Sequence, residues 1–457
     1  MYVKQIYTNC LAEAAYYIAD EGVAAIIDPL RDVQFYLDLA ESRGEKIQYI
    51  FETHFHADFV SGHVELAKRI GAEIIYGPTA KTDYPIIVAE DQQEFPLGNC
   101  KLKLIHTPGH TPESSCLLLI DPEERIHSVY TGDTLFIGDV GRPDLLDGKM
   151  TKEELASMLY DSLRNKIMTL PKETIVYPGH GAGSACGKNI SSETESTIAK
   201  QLKENYALQD MSKDDFVMQV TEGLAKPPEY FFTDAVINKK GYRTEEEMLK
   251  EIDKELSKEA FESAMQEGAI ILDSRQPDLF TKSFIRGSLN VGVKGQFGPW
   301  VGQLIDPKQK LVLVTTKEEK DETLTKLLRI GYENIVGYLT DLTQLTNSNY
   351  TLDSIENIEA NTLKDRCVDL KENILDVRKG GEFKQGHIDG AKHICLSKLK
   401  DNLETLDKKN PYYVHCAGGY RSSIAVSLLK REGFTNVYNI KGGFASIQTT
   451  DLPLITE

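Results

Sequence analysis

Four short segments of this chain carry metal-binding side chains. Thr53-His54-Phe55-His56-Ala57-Asp58-Phe59 sets two imidazoles and a carboxylate within five positions, and His63 follows. Imidazole and carboxylate together suit zinc, iron or manganese. His106-Thr107-Pro108-Gly109-His110-Thr111, Thr131-Gly132-Asp133-Thr134 and Pro178-Gly179-His180-Gly181 each join a glycine-containing turn to a metal-type side chain. Glycine lets the backbone turn sharply and come close to an ion. A fifth segment, Val414-His415-Cys416-Ala417-Gly418-Gly419-Tyr420-Arg421-Ser422, offers different chemistry. A cysteine, then glycines, then an arginine at a helix start reads as a nest of backbone N–H groups around sulfur. Nest, helix dipole and the Arg421 guanidinium all favour thiolate, so Cys416 is expected to be a nucleophile in a loop lined by Gly418 and Gly419. A free cysteine is otherwise a small buried hydrophobe; the adjacent Gly-Gly and Arg argue against that here.

These segments need elements to hold them. The metal-type segments follow strand-like apolar runs at Ile47–Phe51, Lys101–Ile105, Ile126–Tyr130 and Thr174–Tyr177. Sites in layered α/β folds collect at such carboxyl ends of strands. Further strand-like runs (Ala24–Ile27, Glu73–Tyr76) alternate with helix-like ones (Val33–Arg43, Ser61–Ile70, Lys152–Arg164), a layered α/β pattern. Ser192–Leu208 and Lys213–Leu224 read as further helices, the second stopped by Lys226-Pro227-Pro228. Asn238–Gly241 and the charged run Glu245–Glu259 read as a linker and an entering helix. From about 257 the pattern restarts, twice. Ile271-Leu272-Asp273-Ser274-Arg275 returns as Ile374-Leu375-Asp376-Val377-Arg378, and Phe280, Ile285 and Gly287 return at the same offset as Phe383, Ile388 and Gly390. This is a repeat of whole domains, with the junction expected at Thr346–Thr351. The position matching Cys416 in the first copy is Thr316, and no cysteine occurs from 187 to 366. That copy reads as a spacer or docking module without a nucleophile.

The first four segments, in this order, resemble the metallo-β-lactamase superfamily over residues 1–235, which implies an αββα sandwich with its metal at the loop edge. Cys416-x4-Arg421, with Asp376-x-Arg378 and Gly386-His387-Ile388-x-Gly390-Ala391, resembles a rhodanese domain. Asp376 and Arg378 read as a buried structural ion pair. The combined fold is α/β: one sandwich, then two rhodanese-like domains. It resembles persulfide dioxygenase–sulfurtransferase fusions. Two-zinc hydrolases of the superfamily, such as glyoxalase II, have a fourth imidazole where Phe59 stands, so this chain is expected to hold a single ion. The resemblance implies Fe(II), one per chain, on His56, His110 and Asp133, with open positions for O2 and substrate. It assigns His54, Asp58 and His180 to orienting ligands or waters. Arg142, in Gly138-Asp139-Val140-Gly141-Arg142-Pro143-Asp144, is expected to hold the site loops or the substrate. Tyr177 and Cys186 are candidates for the thiol-substrate pocket; His63 and His106 read as bystanders. The implied substrates are O2, sulfite and a persulfide of glutathione, coenzyme A, bacillithiol or cysteine. The implied reaction gives sulfite and thiol, and Cys416 then transfers sulfane sulfur to sulfite. A zinc thioester hydrolase and a persulfide sensor are the rival readings.

At 457 residues the chain is long enough for about three domains of ~150 residues, expected at 1–240, 255–348 and 355–457. No apolar run approaches the ~18 residues of a membrane span, and Met1 to Asp20 lacks a signal-peptide pattern. Seven scattered cysteines without a C-x-x-C pair argue for a reducing cytoplasm. A net charge of −18 disfavours nucleic acid and anionic membranes. A homo-oligomer, dimer or tetramer, is expected.

Overall fold

Strand-forming runs in the first half of the chain pair into two six-stranded sheets. In one, β1 (Tyr2–Thr8), β2 (Glu13–Asp20), β3 (Val23–Ile27), β4 (Lys46–Glu52), β5 (Glu73–Tyr76) and β6 (Ile87–Val88) lie in sequence order. The other holds β7 (Glu94–Leu97), β8 (Cys100–His106), β9 (Ser115–Ile120), β10 (Ile126–Gly132), β11 (Ile175–Pro178) and β12 (Ser196–Thr197), again in order. The computed structural model describes every residue except 146–149, 225, 229, 346–349 and 367–372. Most of the expected junction, Thr346 to Asn349, therefore lies outside the described residues.

Aromatic and aliphatic side chains from both sheets, among them Tyr16, Phe51, Leu102, Leu117 and Tyr130, form one buried cluster. Tyr17, Ile26, Ile50 and Leu66 form a second, and Cys116, Val129, Leu159 and Phe216 a third. Alternate residues of each strand feed different clusters because side chains alternate across a sheet. The helices Gln34–Arg43 and His63–Ile70 contribute to the second cluster, and Lys152–Ser162 and Lys213–Thr221 to the third. Two sheets face to face with helices outside is the expected αββα sandwich. Segment 192–208 departs from the single helix expected there. Thr197 pairs in β12 and then caps a short helix, Ile198–Glu204, by accepting the Lys200 N–H. Asn205 ends it and caps the 3-10 turn Tyr206–Leu208 through its side chain. The expected linker at 238 is instead the end of a helix, Tyr230–Lys240.

The second half repeats a parallel-sheet unit. Leu289–Asn290, Ile270–Asp273, Leu311–Val314 and Ile335–Leu339 form one sheet; Asn357–Ile358, Val437–Ile440, Tyr412–His415, Ile374–Asp376 and Lys392–His393 form the other. The repeat extends to hydrogen bonds. Arg275 grips Asp273 at 2.6 Å and reaches the Ser283 carbonyl; Arg378 grips Asp376 at 2.6 Å and reaches the Gly386 carbonyl. Both pairs lock turns; Asp376 and Arg378, buried, play the structural part read from the sequence, and Arg275 is half-buried. Contacts divide the chain into two compact units, Met1–Met248 with Thr325–Glu333, and Leu249–Leu324 with Asn334–Glu457. Among the described residues, no helix is long and apolar enough to cross a membrane.

Candidate metal centre and sulfur site

The four metal-type segments leave the carboxyl ends of β4, β8, β10 and β11, so the sheet edge gathers them. The structure brings His54, His110 and Asp133 together, with ligand atoms within 4.8 Å of one another. Their hydrogen bonds fix which atoms are free. Thr53 Oγ1 donates to Asp28 Oδ2 at 2.8 Å, so at 2.9 Å it accepts from His54 Nδ1–H. His110 Nδ1–H donates to the Arg142 carbonyl at 2.7 Å. Both imidazoles thus present a bare Nε2, 4.0 Å (His54) and 3.5 Å (His110) from Asp133 Oδ2. That oxygen is buried and finds no hydrogen-bond partner among the described residues. Three lone pairs with no proton between them fit a cation: two imidazoles and one carboxylate suit a divalent transition metal.

The sequence reading put His56 in this set, and the structure groups it elsewhere. His56 Nε2 stands 3.0 Å from Asp28 Oδ1 and 3.6 Å from Glu52 Oε2. Asp28, Glu52 and His56 form a separate buried group. Phe59, fully buried, lays its ring 4.3 Å from the His56 ring.

His180 joins two carboxylates. Its Nδ1 lies 2.7 Å from Asp133 Oδ1 and its Nε2 2.8 Å from Asp58 Oδ2. Burial works against charge on this ring, but Asp133 and Asp58 outweigh it and raise its pKa well above the ordinary value. Both nitrogens therefore carry protons and donate. Burial likewise works to raise Asp133, yet His180, His110 and His54 hold its carboxyl well below the usual range. Cys186 lies beside Asp58 and His180. Burial, then Asp58 and Asp133, push its thiol well up, so it rests protonated.

Several supports were not legible. Asn238 donates to the His56 and Phe59 carbonyls, both at 2.8 Å, and accepts the Ser61 N–H at 2.9 Å. From the sequence it reads as part of a linker. Tyr84 O–H donates to the Asn238 carbonyl and accepts from His63 Nε2–H, each at 2.6 Å. Gly141 packs against the site: a Cβ there would stand 2.0 Å from the Asp133 carbonyl oxygen and 3.0 Å from His110 Nδ1. Arg142 ties loops together, gripping Asp144 at 2.6 and 2.8 Å and donating to the Ala185 carbonyl at 3.1 Å. Tyr177 turns inward, its ring 5.3 Å from those of Tyr16 and Tyr130. Its half-buried side chain packs against the core between the sheets, because alternation turns that face of β11 toward it. His106 donates to the Pro112 carbonyl at 2.8 Å, a structural bond as expected. A cavity of about 630 Å3 reaches His110 and is lined by Phe55, Ala57, Glu113, Leu145, Phe232 and Val236, among others; Tyr177 and Cys186 are not among its described lining residues.

In the second unit Cys416 follows the strand Tyr412–His415 and precedes the helix Tyr420–Arg431. Gly419 N–H donates to its sulfur at 3.1 Å. Gly419 has φ +112°, a left-handed conformation that favours glycine, and a Cβ at Gly418 or Gly419 would meet nothing within 4 Å. The loop thus has open space beside its two glycines, while the Cys416 side chain itself is buried, contrary to the sequence reading. Arg421 grips Glu382 at 2.6 and 2.7 Å. That bond, foremost, pushes the Glu382 carboxyl down to about 2, with the backbone N–H of Lys379 adding to it. In the first copy Thr316 Oγ1 accepts the Glu319 N–H at 3.2 Å, a turn cap.

The Metallo-beta-lactamase superfamily model matches residues 8–180, and the Rhodanese-like domain model matches residues 257–341 and 359–450. Hydroxyacylglutathione hydrolase of Dictyostelium discoideum is 32% identical over 209 residues, 44% of this chain and 72% of that protein. Hydroxyacylglutathione hydrolase of Pelagibacter ubique is 34% identical over 177 residues, 38% of this chain and 68% of that protein. The crystal structure of a metallo-beta-lactamase from Staphylococcus aureus superposes with TM-score 0.65 at 29% identity, covering 74% of this chain and 98% of that one.

Proposed function

Because this chain belongs to the metallo-beta-lactamase superfamily and carries two rhodanese-like domains behind that fold, we propose that it oxidises low-molecular-weight persulfides with O2 and passes sulfane sulfur to the sulfite formed. The observation that carries this reading is the convergence of three bare lone pairs, from His54, His110 and Asp133, beside a His180 whose two N–H groups are already spent. A second metal on Asp58, His180 and Cys186 would have to displace the proton that His180 shares with Asp58. A single ion on two imidazoles and one carboxylate leaves coordination positions for O2 and a sulfur ligand. Bound there, Fe(II) would supply the O2 activation that no side chain offers.

The chain's own residues do the rest. Thr53 and the Arg142 carbonyl hold the two imidazoles in the ligand tautomer. His180 orients Asp133 through one ring nitrogen and Asp58 through the other. Phe55, Phe232 and Val236 give the cavity beside His110 an apolar wall on which the carbon part of a thiol could rest. The balance is R–S–S⁻ + O2 + H2O giving R–SH, SO3²⁻ and H⁺. In the second unit, the Cys416 thiolate takes the terminal sulfur of another persulfide and releases the thiol. Sulfite then attacks that sulfur, regenerating the thiolate and giving thiosulfate.

A zinc thioester hydrolase is the second reading, favoured by the names of the two relatives. Metal analysis of anaerobically purified protein separates them. We expect about one iron per chain and O2 uptake with a persulfide. Two zinc ions per chain, thioester turnover and no O2 uptake would overturn the proposal in favour of the hydrolase.

A further inference from the structure

The helix that carries Arg421 rests on the copy that lacks a nucleophile. Tyr420, the first residue of that helix, donates its hydroxyl proton to the Gly292 carbonyl at 2.7 Å. Ser423 donates to Asn290 Oδ1 at 2.6 Å, and Asn290 N–H donates to Ser427 Oγ at 2.9 Å. Tyr420, Ser423 and Ser427 are spaced i, i+3, i+7, so they form one face of the helix. Asn290, Ser423 and Ser427 are fully buried. Asn290 is itself locked, because its Nδ2 donates to the Asp273 and Arg275 carbonyls, both at 2.9 Å. The Tyr420 ring fills a slot that only glycine leaves open: a Cβ on Gly295 would stand 2.3 Å from it, and one on Gly292 3.3 Å.

Tyr420 is bonded to Gly419, whose N–H faces the Cys416 sulfur at 3.1 Å. Gly419 sits in a left-handed conformation with nothing packed on its open side, so its own packing does little to fix its amide. What fixes the direction of that N–H is the residue after it. The geometry points to Tyr420 as a positioning residue for the Cys416 thiolate, with the nucleophile-free module at 257–341 acting as the clamp that holds it. The copy without a cysteine then has a chemical duty: its Gly292 carbonyl and its glycine slot set the sulfur nest of the other copy. This rests on the reading of Cys416 as the sulfur carrier, but it is tested without turnover.

The test is the pH profile of Cys416 alkylation by iodoacetamide in the full chain, read at Cys416 by peptide mass spectrometry. Tyr420→Phe keeps the ring in its slot and removes only the hydroxyl. We expect alkylation at neutral pH to slow by about three- to tenfold, with the profile displaced to higher pH, because one weakened N–H bond to a thiolate costs about that factor in its population. Gly295→Ala, which expels the ring, should do the same or more. Ser427→Ala removes a bond of the same interface two turns further along, and should lower the melting temperature without moving the profile. An unchanged profile in soluble Tyr420→Phe overturns the inference. So does an equal displacement in Ser427→Ala, which would make the effect one of general stability. If Cys416→Ser still transfers sulfur, the proposed carrier fails, while the alkylation result for Tyr420 stands by itself.

Discussion

Two imidazoles one residue apart, His54 and His56, meet different partners, and the protons of those partners separate their roles. The Thr53 hydroxyl gives its only proton to Asp28 Oδ2, so it can only accept from His54 Nδ1–H. That leaves His54 Nε2 bare beside Asp133. His56 instead turns its Nε2 toward Asp28 and Glu52. The spacing His-x-His-x-Asp points to a metal loop; it cannot tell which ring stands beside Asp133, because that depends on Asp28, 25 residues away from Thr53. The consequence is measurable. His54→Gln should lose the metal during purification. His56→Gln should keep about one metal per chain but release it to a chelator more readily, by the 10- to 100-fold in affinity typical of residues that orient ligands. Dialysis against graded chelator, followed by elemental analysis, reads both. Equal and complete loss in the two variants would return His56 to the ligand set.

At the scale of elements, the strands that lead to the site were legible because their apolar runs are short and metal-type side chains follow their carboxyl ends, in three of the four cases beside a glycine. The repeat was legible from its Asp-x-Arg pair, which the structure shows locking equivalent turns in both copies. Supports that cross the fold were not. Asn238 comes from a helix 182 residues beyond His56, and nothing in Ile237-Asn238-Lys239-Lys240 marks it as a loop anchor. Tyr177 reads as a substrate contact from its neighbours in sequence, but strand alternation turns its half-buried ring against the core cluster. The helix start at His63 shows a further cost of such anchoring. Burial first, and then His56, push the His63 imidazole down to about 3, and Tyr84 takes its Nε2–H. The folded chain therefore keeps His63 neutral where an unfolded chain would protonate it, below the ordinary value near 6.5. Between pH 6.5 and about 3 the unfolded state binds the extra proton, so stability falls as pH falls, by about 1.4 kcal/mol per pH unit for one such group. His63→Gln should make that slope shallower by one proton between pH 4 and 6. Hydrogen exchange of the β4 amides in urea, followed across that range, gives the slope; an unchanged slope would mean His63 is protonated in the folded state.

The whole molecule joins a metallo-beta-lactamase fold to two rhodanese-like domains, and in the function proposed above the chemistries of the two sites meet in sulfite. An oxidising site alone would release sulfite. A sulfurtransferase alone would need sulfite from elsewhere. Joining the two sites in one chain supplies both in equal number, so the sulfite made at one is the acceptor that persulfide-bearing Cys416 needs at the other. The two sites have separate cores, and changing one side chain should leave the other chemistry intact. Cys416→Ser removes the nucleophile and should still consume O2 with persulfide at a near-normal rate, while sulfite accumulates. His54→Ala should consume no O2, yet form thiosulfate when sulfite and persulfide are supplied together. The unaltered chain, given persulfide and O2, should release mainly thiosulfate. An oxygen electrode run beside ion chromatography reads all three. Thiosulfate from Cys416→Ser at the unaltered rate would place the sulfur carrier elsewhere. Cys186, whose thiol lies beside Asp58 and His180, would be the next to test, although its raised pKa leaves little thiolate to act.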